Sequence, residues 1–176
     1  MSEQPPSAEA ELSAVPESEA VRQVREQVPD ALIDVCEAFG IQTLTVACER
    51  LPIVMTALKT APDLLYTYLV DLTAVDRLHL DTPVRFVIVY QLYSYKFNRR
   101  LCVKTQVPTD TVTVPSVVSV WPSANWMERE VYDLFGVVFD NHPDLRRLVM
   151  PDDFGSYPLR KDYPLHGKGE RDSFVF

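Results

Sequence analysis

The sequence predicts an α+β fold: a two-layer sandwich with a mixed sheet, followed by an extended, proline-rich C-terminal segment. Three observations predict it. Five β-forming stretches are split by one helical stretch, in the order strand, strand, helix, strand, strand, strand, a pattern that suits one sheet covered by helices. Apolar residues make up 47% of the 176, enough for the core of one domain. Beyond residue 140, Pro143, Pro151, Pro158 and Pro164 forbid a long helix and restrain the residue before each of them.

The elements follow in order. Residues 19–28 carry Val21, Val24 and Val28 at helical spacing, and Pro29 stops the run. Residues 31–38 and 42–48 read as strands around a turn at Gly40. Leu51 to Ala61 is a predicted helix: Pro52 suits its first turn, Leu51/Met55 and Val54/Leu58 pair at i,i+4, and Pro62 ends it. Leu65–Val75, Val84–Tyr93 and Arg100–Val107 read as strands. The second is almost continuously apolar, which predicts a central strand covered on both faces. The turn Tyr95–Asn98 suggests that the last two form an antiparallel hairpin. Val112 to Val120 is apolar and β-branched, interrupted by Pro115. The organisation expected is an acidic tail over residues 1–18, an α+β domain over 19–139, and a partner-binding segment over 140–176.

The formal net charge is −8, which argues against a nucleic-acid ligand, since phosphates call for a basic footprint. Glu3, Glu9, Glu11, Glu17 and Glu19 fall in the first twenty residues with no basic residue among them. That stretch reads as a disordered lead-in. It has neither the apolar run of a secretory signal nor the arginines of a mitochondrial presequence, so the chain is expected to stay where it is made. No run approaches the roughly 18–20 apolar residues of a membrane span. Cys36, Cys48 and Cys102 match no zinc or iron–sulfur spacing and read as small core residues.

Residues 124–135, followed by Gly136, form the most informative helix. Ser123 or Asn125 can cap its start, Asn125 with Glu128 resembles a capping box, and Gly136 fits the left-handed position past the end. At about 100° per residue, Trp126, Met127, Val131, Leu134 and Phe135 share one side. Arg129, Tyr132 and Asp133 take the other, and Glu128 sits at the boundary. Glu130 falls inside the apolar stripe. It is therefore the predicted buried acid, and a buried carboxylate needs a partner. The candidates are Arg146, Arg147, Arg160 and Lys161, with arginine favoured for its two-pronged grip.

In the last segment, only Leu145 to Met150 can make a short strand. The remainder is extended chain bearing Phe154, Tyr157, Leu159, Tyr163 and Leu165. Such a segment either lies along a partner surface or wraps over its own domain, and the sequence leaves both open. Chemistry of its own finds little support. His142 lies among Asp140, Asp144 and Asp133, without a second histidine at ligand spacing. Five glycines make no phosphate-binding loop. Glu128 and Glu130, two apart on a helix, point about 160° apart and cannot act together as acid and base.

The run from Trp126 to Phe154, then Pro158 to Leu165, resembles the signature of the thirty-kilodalton subunit family of respiratory complex I, also called its C subunit. The residues that carry it are Trp126, Glu128-Arg129-Glu130, Asp133-Leu134-Phe135-Gly136, His142-Pro143, Arg146-Arg147, and Pro158-Leu159-Arg160-Lys161-Asp162. A weaker likeness from about Leu32 to Val120 includes Asp71-Leu72-Thr73. The pattern departs from the family at Ser156 and Asn141, where glycine is usual. The resemblance implies an α+β domain whose C-terminal segment packs on the large quinone-site subunit, beside the small subunit with the terminal cluster. It implies no catalytic residue, cofactor or metal on this chain; FMN and Fe–S clusters would sit on partner subunits of an NADH:quinone oxidoreductase. It places the chain at the cytoplasmic face of a bacterial inner membrane. The same resemblance extends to subunits of energy-converting hydrogenases and ferredoxin-dependent complexes. An independent enzyme using Glu130 and His142 is the rival of another class.

Overall fold

The computed structural model describes residues 18–80 and 82–169. The predicted acidic tail lies outside the described residues except for Ser18. Helix α1 (Glu19–Gln27) starts where the Ser18 hydroxyl accepts the Val21 amide proton. It buries Ala20, Val21 and Val24. Strands β1 (Leu32–Ala38) and β2 (Ile41–Val46) form an antiparallel hairpin. Its turn puts Phe39 and Gly40 at positive φ. A single 3-10 turn over Cys48–Arg50 leads into helix α2 (Leu51–Thr60), which buries Leu51, Val54, Met55 and Leu58.

Strands β3 (Tyr68–Asp76), β4 (Phe86–Ser94) and β5 (Arg99–Gln106) complete a five-stranded sheet in the order β1-β2-β5-β4-β3. β2 and β5 run parallel, and the other neighbours are antiparallel. The sheet is therefore mixed and the fold α+β, as the element order predicted. The β4–β5 hairpin forms at the expected turn, with Asn98 at positive φ.

One face of the sheet is dry. Leu44, Val46, Leu72, Ile88, Tyr90, Leu92, Leu101 and Val103 line it, each at most 4% exposed. The other face is only half covered: Val89, Gln91, Tyr93 and Lys104 are intermediate. β4 is thus not sealed on both sides as its composition suggested. Its alternation is real, but the outward positions carry Val89, Gln91 and Tyr93, which tolerate partial exposure. The cysteines also differ from expectation. Cys102 is buried, Cys48 is intermediate and Cys36 is exposed on the edge strand β1.

Past the sheet, β6 (Thr113–Pro115) and β7 (Val138–Asp140) pair in parallel on either side of helix α3 (Ala124–Phe135), which lies against β3. No strand forms over Leu145–Met150. The reason lies in α3: the amides that a strand would give to a ladder are taken by a side chain.

Candidate interaction site

Helix α3 is clasped on two sides, so its buried face is not the one that polarity alone suggests. Toward the sheet it buries Ala124, Glu128, Val131 and Phe135; toward the C-terminal segment it buries Arg129 and Asp133. Trp126 is 61% exposed, and Glu130 is exposed. Glu130 is therefore not the buried acid, and none of its four predicted partners pairs with it. The buried acids are Glu128 and Asp133. A helix covered on both flanks breaks the rule that charges mark the wet face.

Asp133 is the hub. Its side chain has no exposed surface, and Arg147 Nη1 reaches Oδ1 at 2.8 Å. Oδ2 accepts three consecutive backbone N–H groups: Leu148 at 3.0 Å, Val149 at 2.7 Å and Met150 at 2.8 Å. Burial alone would raise this carboxyl. The three amides and Arg147 outweigh it and hold Asp133 below the usual aspartate range. Arg129 works from the same helix in the opposite sense, donating to the Arg146 and Arg147 carbonyls at 3.2 and 3.1 Å. Its guanidinium lies 4.9 Å from the Trp126 ring.

Gly136 ends α3 at φ 74°, its amide bonded to the Tyr132 carbonyl at 2.9 Å. A Cβ here would run into Arg160 Nη2 and would meet the Tyr157 ring at 2.6 Å. Gly136→Ala is expected to destabilise the chain by roughly 2–4 kcal/mol, from left-handed strain together with overpacking, as read by urea unfolding. Arg160 donates through Nε to the Phe135 carbonyl at 2.6 Å and lies over Tyr157 at 4.4 Å and Phe86 at 5.4 Å. The Leu159 amide bonds Leu134 O at 3.1 Å.

A second strap ties the segment to the sheet. Asp76, at the end of β3, has a fully buried side chain and accepts Arg85 at 2.9 Å, the Lys161 amide at 2.8 Å and the Leu78 amide at 3.0 Å. Burial would raise Asp76, but these donors together hold it below its ordinary value. Arg85 bridges onward to Asp162 at 2.6 Å. Asp76 and Arg85 escaped the sequence reading. The usable signal was Asp76 itself, an acid at an inward position of an alternating strand.

The remaining motif residues are placed as follows. Arg146 is exposed and meets Asp144 at 3.0 Å on the surface, a contact of small energetic weight. Lys161 contributes its backbone rather than its exposed ammonium. Pro143 is exposed and Pro158 half-buried. Ser123 makes no side-chain cap, and Asn125 lies within the helix, so the capping box is absent. Asn141 takes φ 61°, the left-handed conformation that asparagine tolerates best among non-glycine residues.

Glu128 is fully buried, with Ser116 Oγ at 2.6 Å and the Val117 amide at 2.7 Å. Burial pushes its carboxyl up to about 7, against the pull of those two hydrogen bonds. His142 Nε2 lies 3.9 Å away, its side chain equally buried. Among the described residues, no group of three or more His, Cys, Asp or Glu side chains is arranged to hold a metal ion. No described helix is long and apolar enough to cross a membrane.

The α+β body holds an extended segment whose apolar side chains range from buried to fully exposed. Phe154 is buried, while Val149, Leu159 and Leu165 are 63%, 50% and 99% exposed. Trp126 on α3 is likewise a large apolar side chain that is mostly exposed.

Comparison with known proteins agrees with the motif. The model of the respiratory-chain NADH dehydrogenase 30 kDa subunit family matches residues 44–169. The C subunit of NADH-quinone oxidoreductase from Geobacter metallireducens is 49% identical over 150 residues, 85% of this chain and 91% of that protein. Its counterpart from Geobacter sulfurreducens is 48% identical over 84% of this chain and 90% of its own length. Among solved structures, a trypsin-resistant fragment of Nqo5 superposes with a TM-score of 0.58 at 35% identity, covering 64% of this chain and 89% of the fragment. A chain of the archaeal membrane-bound sulfane sulfur reductase superposes with a TM-score of 0.68 at 27% identity, over 84% of this chain and 85% of that one. With a match that runs through the whole of α3 and both straps, the chain belongs to the 30 kDa subunit family of respiratory-chain NADH dehydrogenase.

Proposed function

We propose that this chain is a cofactor-free peripheral-arm subunit of a proton-translocating NADH:quinone oxidoreductase, and that it braces the quinone-reducing module. Electrons pass from NADH through FMN and Fe–S clusters on other subunits to quinone, and the isolated chain performs no catalysis. Its partners are the large quinone-site subunit and the small terminal-cluster subunit, at the cytoplasmic face of the bacterial inner membrane. The observation that carries this reading is the strapped segment with its exposed Val149, Leu159 and Leu165, beside an exposed Trp126 on α3, held in place by the buried Asp133, Arg129 and Asp76. Family membership supplies the complex.

A second reading has one observation in its favour. The likeness to a chain of the archaeal sulfane sulfur reductase supports the same brace in a membrane complex with another electron donor, such as an energy-converting hydrogenase or a ferredoxin-dependent relative. The test is co-purification of the tagged chain from native membranes in mild detergent, with mass spectrometry and an NADH:quinone assay. Flavin and cluster subunits with quinone-linked NADH oxidation are expected. Hydrogenase subunits would favour the second reading, and an unaccompanied chain would overturn both.

A further inference from the structure

Three arginines and two aromatic rings alternate in one row between helix α3 and the start of β4. The Arg147 guanidinium sits over the Tyr157 ring at 5.4 Å. Arg160 sits over the same ring at 4.4 Å and over the Phe86 ring at 5.4 Å. Arg85 sits over Phe86 at 4.8 Å. Each ring is thus shared by two guanidiniums, and each contact is attractive because a cation meets the electron-rich face of a π system.

The two ends of the row are the two straps. Arg147 pairs with Asp133, whose Oδ2 holds the Leu148, Val149 and Met150 amides. Arg85 pairs with Asp76 and Asp162, and Asp76 also accepts the Lys161 amide. The middle guanidinium is different. Among the described residues, Arg160 has no carboxylate within ion-pair distance; it is held by the bond from Nε to the Phe135 carbonyl and by the two rings. Like charges in a row repel one another, so Arg160 keeps its place only while both rings keep theirs. The packing leaves no slack: a Cβ on Gly136 would run into Arg160 Nη2 and the Tyr157 ring. Phe86 is 4% exposed, which anchors the row in the core at its sheet end.

Straps with separate partners would open separately, and losses at the two would add. These straps share partners. Opening at Asp76 lifts Lys161 and, next to it in the chain, Arg160. Arg160 then leaves Phe86 and Tyr157, the Tyr157 ring loses its support, and Arg147 loses its cover. Opening at Asp133 runs through the same contacts in reverse. We infer that the two straps form one cooperative clamp: the row Arg147, Tyr157, Arg160, Phe86 and Arg85 couples the Asp133 anchor to the Asp76 anchor, so residues 147–162 dock and release as a unit. Val149 and Leu159, exposed on that unit, are presented together or not at all, and a contact that steadies one end steadies the other. The inference goes beyond the proposed function: it concerns this chain alone and holds whichever complex the chain joins.

The test is hydrogen exchange of the full chain by NMR at one pH. The Leu148, Val149 and Met150 amides report on one strap and the Lys161 amide on the other. In the wild type, all of them are expected to be less protected than the β4 and β5 amides, marking an opening short of global unfolding. Asp76→Asn should lower protection by about tenfold at Lys161 and also at Leu148, Val149 and Met150, none of which Asp76 touches. Arg160→Met keeps the apolar stem and removes the guanidinium. In that background, Asp76→Asn should act on Lys161 alone. Where either variant does not fold, Asp162→Asn loosens the same strap, Tyr157→Leu interrupts the same row, and the expectations are unchanged. Protection at Leu148, Val149 and Met150 that ignores Asp76→Asn, transmission that persists without Arg160, or strap protection equal to that of the core would each overturn the clamp.

Discussion

Replacing Asp133 with alanine is expected to destabilise the chain by about 3–5 kcal/mol, the range for removing one partner of a buried charged pair. Arg147 would lose the carboxylate it meets at 2.8 Å, and the Leu148, Val149 and Met150 amides would lose their common acceptor. Three stranded backbone donors then seek water, which the segment can supply only by lifting from α3. Urea unfolding should show the lower midpoint, and limited trypsin digestion should show faster cutting after Arg146 and Arg147. Asp133→Asn keeps an acceptor oxygen and should cost less. Equal stability of wild type and Asp133→Ala would mean that the segment is not held by this carboxylate. Because Asp133 is held below its usual value, its contribution is present above about pH 4 and fades as pH falls further.

Glu128 gives the second large effect, with the opposite sign. Its carboxyl is raised from an ordinary 4.5 to about 7 by burial, so the folded state holds a proton that the unfolded chain releases. Stability from this group is complete below about pH 4.5 and is lost as pH rises to about 7, by on the order of 3 kcal/mol. Asp76, Asp133 and Asp162 are all lowered and lose their contribution on the acid side. The wild-type chain should therefore be most stable near pH 4–5, below the usual optimum for folded proteins. Glu128→Gln keeps an acceptor for Val117 and a donor for Ser116 while removing the ionisation. Chemical denaturation at pH 4.5 and pH 8 should find it close to wild type at the first and more stable by up to about 3 kcal/mol at the second. Equal stabilities at both would show that Glu128 ionises without penalty.

These two carboxyls show where sequence reading succeeded and where it failed. Strand and helix order, the β4–β5 hairpin, the stop at Gly136 and the family were all legible, because each rests on local periodicity, a turn residue or an ordered motif. The buried face of α3 was not. Binary patterning assigns charge to the outside, and it turned Asp133 and Arg129 to solvent and Trp126 inward; the structure does the reverse. The cause is non-local: a segment without periodicity covers the polar flank, and its backbone bonds go to side chains rather than to a ladder. That also explains why Leu145–Met150 looked like a strand and is not one. The inward strand position of Asp76 could flag its burial but not its partners, since Lys161 and Asp162 lie far along the chain.

The straps also settle when the C-terminal segment gives up its conformational freedom. Fixing the backbone of one residue costs about 1–2 kcal/mol, and here that loss occurs while the chain itself folds, through Asp133, Arg129, Arg160 and Asp76. A surface that docks on Trp126, Val149, Leu159 and Leu165 meets side chains on a backbone already in shape. Little ordering remains to subtract from affinity. Calorimetry of such an association should give a heat-capacity change in proportion to the apolar area covered, without the added contribution of coupled folding.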